Sequence, residues 1–217
     1  MKKVCFIFSK ILFAFFIASI AIVMTINSNL GLSPWDVLHQ GISKVSNITI
    51  GQASIGIGLL VVFVSMFLGV KIGLATILNV VMIGYFIDFI MYYNLIPICT
   101  RLHTGIIMML IGIMLLSFAT YLYLSCGMGC GPRDGLMVAL TKRTKLHVGL
   151  IRGIMELSVM TIGYFLGGFV GIGTVITAIG VAYFIKIIFK VFKYDVKATE
   201  HLSIKDGLIW IKKSIKY

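Results

Sequence analysis

Gly31-Leu-Ser-Pro34-Trp-Asp36 occurs again, altered, as Gly129-Cys-Gly-Pro132-Arg-Asp134, with glycine, proline and aspartate at the same spacing and a constant offset of 98 residues. The register runs on without a gap. Gly51 aligns with Gly149, Gly69 with Gly167, Gly73 with Gly171, Thr76 with Thr174, and Tyr85-Phe86-Ile87 with Tyr183-Phe184-Ile185. From Leu30 to Asp88, 16 of 59 aligned positions are identical. An ungapped register of that length identifies one structural unit written twice.

Composition states where that unit lives. Of 217 residues, 59% are hydrophobic and 12% charged, with a mean hydropathy of +1.07. Soluble domains run near 45–50% apolar and about 25% charged. The chain is therefore expected to be an all-α integral membrane protein with one membrane domain, 1–192, followed by a basic tail, 193–217. Six runs approach the roughly 20 residues a membrane helix needs, at about 6–27, 51–69, 73–93, 104–125, 148–167 and 170–190. The first unit covers about 6–93 and the second about 104–190. The opening Met1-Lys-Lys and apolar run resemble a signal peptide. The run is longer than a usual h-region and no small-x-small site follows it, so a retained helix is expected. In the tail, Ile204, Leu208, Ile211 and Ile215 share a helical face among lysines, a pattern suited to an anionic membrane surface or to a solvated end.

Charge placement orients the six crossings. With the N-terminus in the cytoplasm, 17 Lys and Arg fall on the cytoplasmic side, and only Lys44 and Arg101 fall outside. The net charge of +12 then reflects this bias and contact with anionic lipid, not nucleic acid. Three crossings per unit require the second unit to be inverted relative to the first, a construction common among secondary transporters.

Each quoted motif reads as the start of a short helix between the first and second span of its unit. Pro34 and Pro132 suit a first helical turn, and Gly31 and Gly129 let the chain break away before it. Both helices are too short to span, and either re-enter the membrane or lie on its surface. If they dip inward, their N-termini carry unpaired N–H groups and partial positive charge toward the centre, reinforced by Arg133. Asp36 and Asp134 either complement the helix dipole or face a substrate or proton, and the two roles are compatible. Glu156 lies inside the fifth span with Arg152 four residues earlier on the same face. An ionisable group there marks either a path or a neutralised pair joining helices. Asn79 aligns with Thr177 in mid-helix, for interhelical hydrogen bonding or a pathway role. Asp88 reads as interfacial or as paired with Arg101, and His39 and His147 read as interfacial or loop residues. No cofactor motif and no metal-ligand spacing is present. Cys126 and Cys130 lack a second ligand pair, and the four cysteines do not form a disulfide framework.

Gly31-Leu-Ser-Pro-Trp-Asp-Val-Leu38, Gly129-Cys-Gly-Pro-Arg-Asp-Gly-Leu-Met137, Gly149-Leu-Ile-Arg-Gly-Ile-Met-Glu-Leu157 and Gly171-Ile-Gly-Thr-Val175 resemble the YczE/YyaS-like bacterial integral membrane proteins, related to the YitT group. The resemblance covers about 10–190 and implies a polytopic inner-membrane protein, without naming a substrate.

The expected function is a small-molecule permease with Asp36, Asp134, Arg133, Arg152, Glu156 and Asn79 as substrate-facing or gating residues. The alternative is a non-transporting scaffold or regulatory subunit, docking a protein partner or a second copy. No His-Glu-x-x-His, activated serine or carboxylate pair suggests an enzyme.

Overall fold

The computed structural model describes residues 2–70, 72–144, 146–194 and 202–216. All of the regular structure among them is helical: α1 Lys2–Asn27, α2 Pro34–Ser46, α3 Ile50–Phe67, α4 Leu74–Tyr92, α5 Leu102–Leu124, α6 Pro132–Thr144, α7 Val148–Phe165, α8 Ile172–Val191 and α9 Ile204–Lys216. Six of these, α1, α3, α4, α5, α7 and α8, are long and apolar enough to cross a membrane.

Local sequence sets the short helices. Ser33 caps α2, Pro34 takes its first position, and Asn47 closes it in the left-handed region at φ 52°. Thr49 and Gln52 form a capping box that starts α3 three residues later. The α2–α3 corner is therefore encoded in Ser46-Asn-Ile-Thr49.

The centre of the bundle is α1 against α5, each flanked by the last helix of its own unit, α4 or α8. Ala14, Phe15, Ala21 and Val23 of α1 and Met109, Ile113 and Ala119 of α5 are fully buried. The rim faces outward with large apolar groups, among them Phe67, Phe165 and Val191, exposed by 68–81%. A surface of this kind is stable only in hydrocarbon.

The two units exchange contacts reciprocally. Gly173 N–H donates to Leu30 C=O at 2.7 Å, and Ala75 N–H, 98 residues from Gly173, donates to Met128 C=O at 3.0 Å. Gly31 (φ +120°) lies against Gly171 and Thr174, and Gly129 (φ +132°) lies against Gly73 and Thr76. A Cβ on Gly31 would sit 2.9 Å from Thr174 Oγ1, and one on Gly129 would sit 2.7 Å from Thr76 Oγ1. Only glycine fits both the φ and the approach. Each motif loop is thus clamped by the other unit's last inter-helix turn.

The exchange is not symmetric throughout. α3 packs along α4, while their counterparts α7 and α8 are barely in contact. Asp88 fastens the first pair, accepting from the Thr49 hydroxyl at 2.5 Å and Gly51 N–H at 2.9 Å. It caps α3 from near the end of α4. α2 is also fastened to the α7–α8 turn. Phe169 N–H donates to Gln40 Oε1 at 2.8 Å, and Lys44 Nζ donates to Gly167 C=O at 2.8 Å. At the matching positions the second unit carries Lys186 for Asp88 and Val138 for Gln40. Neither can accept a hydrogen bond from backbone N–H, and a lysine beside a helix N-terminus is repelled by its dipole.

The tail expectation is modified. Leu202 N–H donates to Gly127 C=O and Ile204 N–H to Ile72 C=O, each at 2.9 Å, so α9 docks on protein beside the second motif. Ile204, Gly207 and Trp210 turn toward the bundle and Leu208 stays exposed. The side chains of Ile211 and Ile215 lie outside the described residues.

Candidate functional site

The first turns of α2 and α6 meet in the interior. The Arg133 guanidinium stands 4.7 Å from the centre of the Trp35 ring, a cation–π contact between the two motifs. Around it lies a cavity of about 210 Å³, lined by every helix from α1 to α8. Its walls include Ala18 and Ile22 of α1, Asn79 and Ile83 of α4, and Val181 and Ile185 of α8, all in the middle stretches of their helices. The short helices therefore re-enter the bundle. They do not lie flat on its ends.

Five of the six expected site residues, Asp36, Asp134, Arg133, Arg152 and Asn79, line this cavity. Glu156 lines a smaller adjoining one of about 80 Å³, together with Arg133, Asp134 and Arg152. Arg152 Nε donates to Glu156 Oε1 at 3.1 Å, so the expected intrahelical pair exists, on the cavity-facing side of α7. Thr177 bonds to Gly173 C=O and Thr174 C=O inside its own helix, not across to another. The expectation of interhelical bonding therefore fails there, for a local reason: a threonine hydroxyl in a helix reaches the carbonyl one turn back.

Asp36 is 4% exposed. The Ser33 hydroxyl donates to its Oδ2 at 2.5 Å, and Asp36 N–H lies 3.4 Å from Ser33 Oγ. Asp36 therefore complements its helix start and also lines the cavity. His39, expected at a loop or interface, is instead 2% exposed, one turn along the same face and lining the same cavity. Its Nδ1 stands 3.3 Å from Asp36 Oδ1 without the alignment of a hydrogen bond, and no other polar group satisfies it. Burial pushes the Asp36 carboxyl up, but His39, Arg133 and Ser33 outweigh it and hold the group below the ordinary carboxylate value. Burial pushes His39 down more than Asp36 lifts it, leaving a neutral imidazole at pH 7. Burial lowers Arg133 too, against the pull of Asp36, Asp134 and Glu156, and the guanidinium stays charged.

Sequence reasoning missed His39, Trp35, Ser33, Thr120 and Tyr123 as cavity residues. A signal existed for His39, which follows Asp36 by three residues, on one helical face. For Thr120 and Tyr123 the spacing carried none, because their place depends on how α5 packs.

An apolar rim, six spanning helices and a buried polar cavity between two re-entrant short helices define a polytopic integral membrane protein, embedded in the lipid bilayer. The chain belongs to a family of unknown function (DUF6198), whose model matches residues 4–190. It is 42% identical over 184 residues to an uncharacterized protein of Haemophilus influenzae, covering 83% of this chain and 84% of that one. Over 152 residues it is 40% identical to the uncharacterized membrane protein YczE of Bacillus subtilis, covering 69% of each. It is 28% identical over 165 residues to YyaS of the same organism, covering 74% of this chain and 81% of that one. No solved structure matches.

Proposed function

We propose that this protein is a secondary transporter of a small polar molecule in the cytoplasmic membrane, working by alternating access between two inverted units. The observation that carries this reading is the meeting of both motif helices at one cavity, reached by polar residues from each unit. With both termini in the cytoplasm, the end where α2 is fastened faces outside and the end where α6 terminates faces inside. The outer end is held by Gln40, Lys44 and Asp88, and the inner end lacks the equivalents of Gln40 and Asp88. The state described is then closed outward, with its freedom to open lying between α7 and α8. Asp36, Asp134, Arg133, Asn79 and the Arg152–Glu156 pair supply the substrate contacts. The basic inner face rests on anionic lipid. The protein moves its substrate without transforming it.

The test is thermal stability of the purified protein across a metabolite library, wild type beside Asp134→Asn and Arg133→Gln. A compound at 100 times its Kd raises stability by about 2.7 kcal/mol. The reading expects a compound that stabilises wild type and leaves both variants unmoved. It fails if both variants, and Asp36→Asn, carry a demonstrated flux at the wild-type rate.

A further inference from the structure

His39 has no place in the sequence motif that repeats, since the second unit carries Met137 there. It is a buried imidazole with an unsatisfied Nδ1 3.3 Å from a carboxylate oxygen, inside a polar cavity. Its helix face is also the one that must move if the outer end opens. α2 and α7 touch backbone to backbone beside it, so that a Cβ on Gly163 would lie 2.5 Å from Leu38 N. A Cβ on Gly41 would in turn lie 2.6 Å from Gly163 O. Gln40 and Lys44, which tie α2 to the α7–α8 turn, follow His39 on the same short helix.

We propose that His39, paired with Asp36, is a proton-binding site that loads when α2 parts from α7 and empties when they close. Protonation makes both ring nitrogens donors, so Nδ1 carries an N–H in the charged ring, and a small turn of the imidazole converts the 3.3 Å contact with Asp36 Oδ1 into a charge-assisted hydrogen bond. The imidazolium then neutralises Asp36, which otherwise shares the field of Arg133.

Among the described residues, few charged groups face this pair. α6 presents Arg133 and Asp134, α7 presents Arg152 and Glu156, and α5 presents the Tyr123 hydroxyl. α1, α3, α4 and α8 contribute uncharged lining such as Ala18, Ser54, Asn79 and Val181. Arg133 opposes a charge on His39, and Asp36 favours it. Burial in the closed state decides the balance against the charged ring. A histidine with a lowered value binds protons less readily than the same ring in water, so acid favours the state in which α2 and α7 separate. That shift begins as pH falls toward the ordinary histidine value of about 6.5. In the transport reading, on which the coupling role rests, this makes the proton the coupling ion. The binding site itself does not depend on that reading.

Trp35 reports on the site. The chain has two tryptophans, so Trp210→Phe leaves Trp35 as the sole emitter, four residues from His39. The full-length protein in lipid nanodiscs is titrated from pH 8 to pH 5 while Trp35 emission is followed, with a thermal melt at pH 8 as the check on folding. The expected result is a single-proton transition that disappears in His39→Gln. The midpoint falls in Asp36→Asn, which loses the carboxylate charge, and rises in a Gln40→Ala, Lys44→Ala double variant, which frees α2. A flat wild-type titration overturns the proposal, as does the same midpoint in His39→Gln, which would assign the proton to Asp134 or Glu156. If His39→Gln does not fold, an unchanged midpoint in Asp36→Asn overturns it. A titration that behaves as expected in a protein showing no flux of any kind upholds the site and refutes the transport reading.

Discussion

At the residue scale, single polar side chains near helix ends fasten one element to another. Asp88 is the clearest case, because it holds a helix start on one side and a helix pair on the other. Asp88→Ala removes a cap worth about 1 kcal/mol, which for a chain of this size lowers the midpoint of thermal unfolding by roughly 2–4 °C. A melt of the variant in detergent checks this, and an unchanged midpoint would show that Asp88 holds nothing. Asp36 was legible in the sequence as a first-turn carboxylate, since Pro-x-Asp appears twice at matched positions. His39 was misplaced because an isolated histidine on a short helix reads as a surface residue. Its burial follows from the re-entry of α2, which no local pattern states.

Among elements, the spans, the glycine-bounded turns and the two Pro-started helices could all be read from apolar run length and punctuation. The observed α3, α4, α7 and α8 begin and end within a few residues of expectation. Depth was not legible, because a 13-residue helix has the same sequence whether it lies on a membrane or enters it. What fixes α2 in the interior is its backbone contact with α7, and glycine makes that contact possible. Gly163→Ala puts a methyl group 2.5 Å from Leu38 N and forces α2 and α7 apart. Overpacking of that kind costs about 1–3 kcal/mol. Gly153→Ala, nearly three turns earlier on α7, meets nothing within 4 Å. It should be neutral or up to about 1 kcal/mol stabilising, since alanine is the better helix former. Opposite signs in paired melts support the packing described, and equal effects would contradict it.

For the whole molecule, the two units hold each other by matched backbone bonds, from Gly173 N–H to Leu30 C=O and from Ala75 N–H to Met128 C=O. The asymmetry was not legible from the repeat itself. It resides where the copies differ, at Asp88 against Lys186 and Gln40 against Val138, and those differences matter only once the packing shows what each position faces. One end is latched by Gln40 and Asp88, and at the other, where Val138 and Lys186 stand in their places, α9 docks on the bundle instead. The central claim is that these two ends open in alternation. It is tested most directly by measuring two distances in one preparation, between spin labels at Ile50 and Tyr93 on α3 and α4, and at Val148 and Val191 on α7 and α8. The pairs occupy matching positions in the two units. The account predicts a short first distance and a long second one in the parent protein at pH 8. Asp88→Ala or acid should lengthen the first and shorten the second together. A first distance that lengthens while the second stays fixed would contradict alternating access.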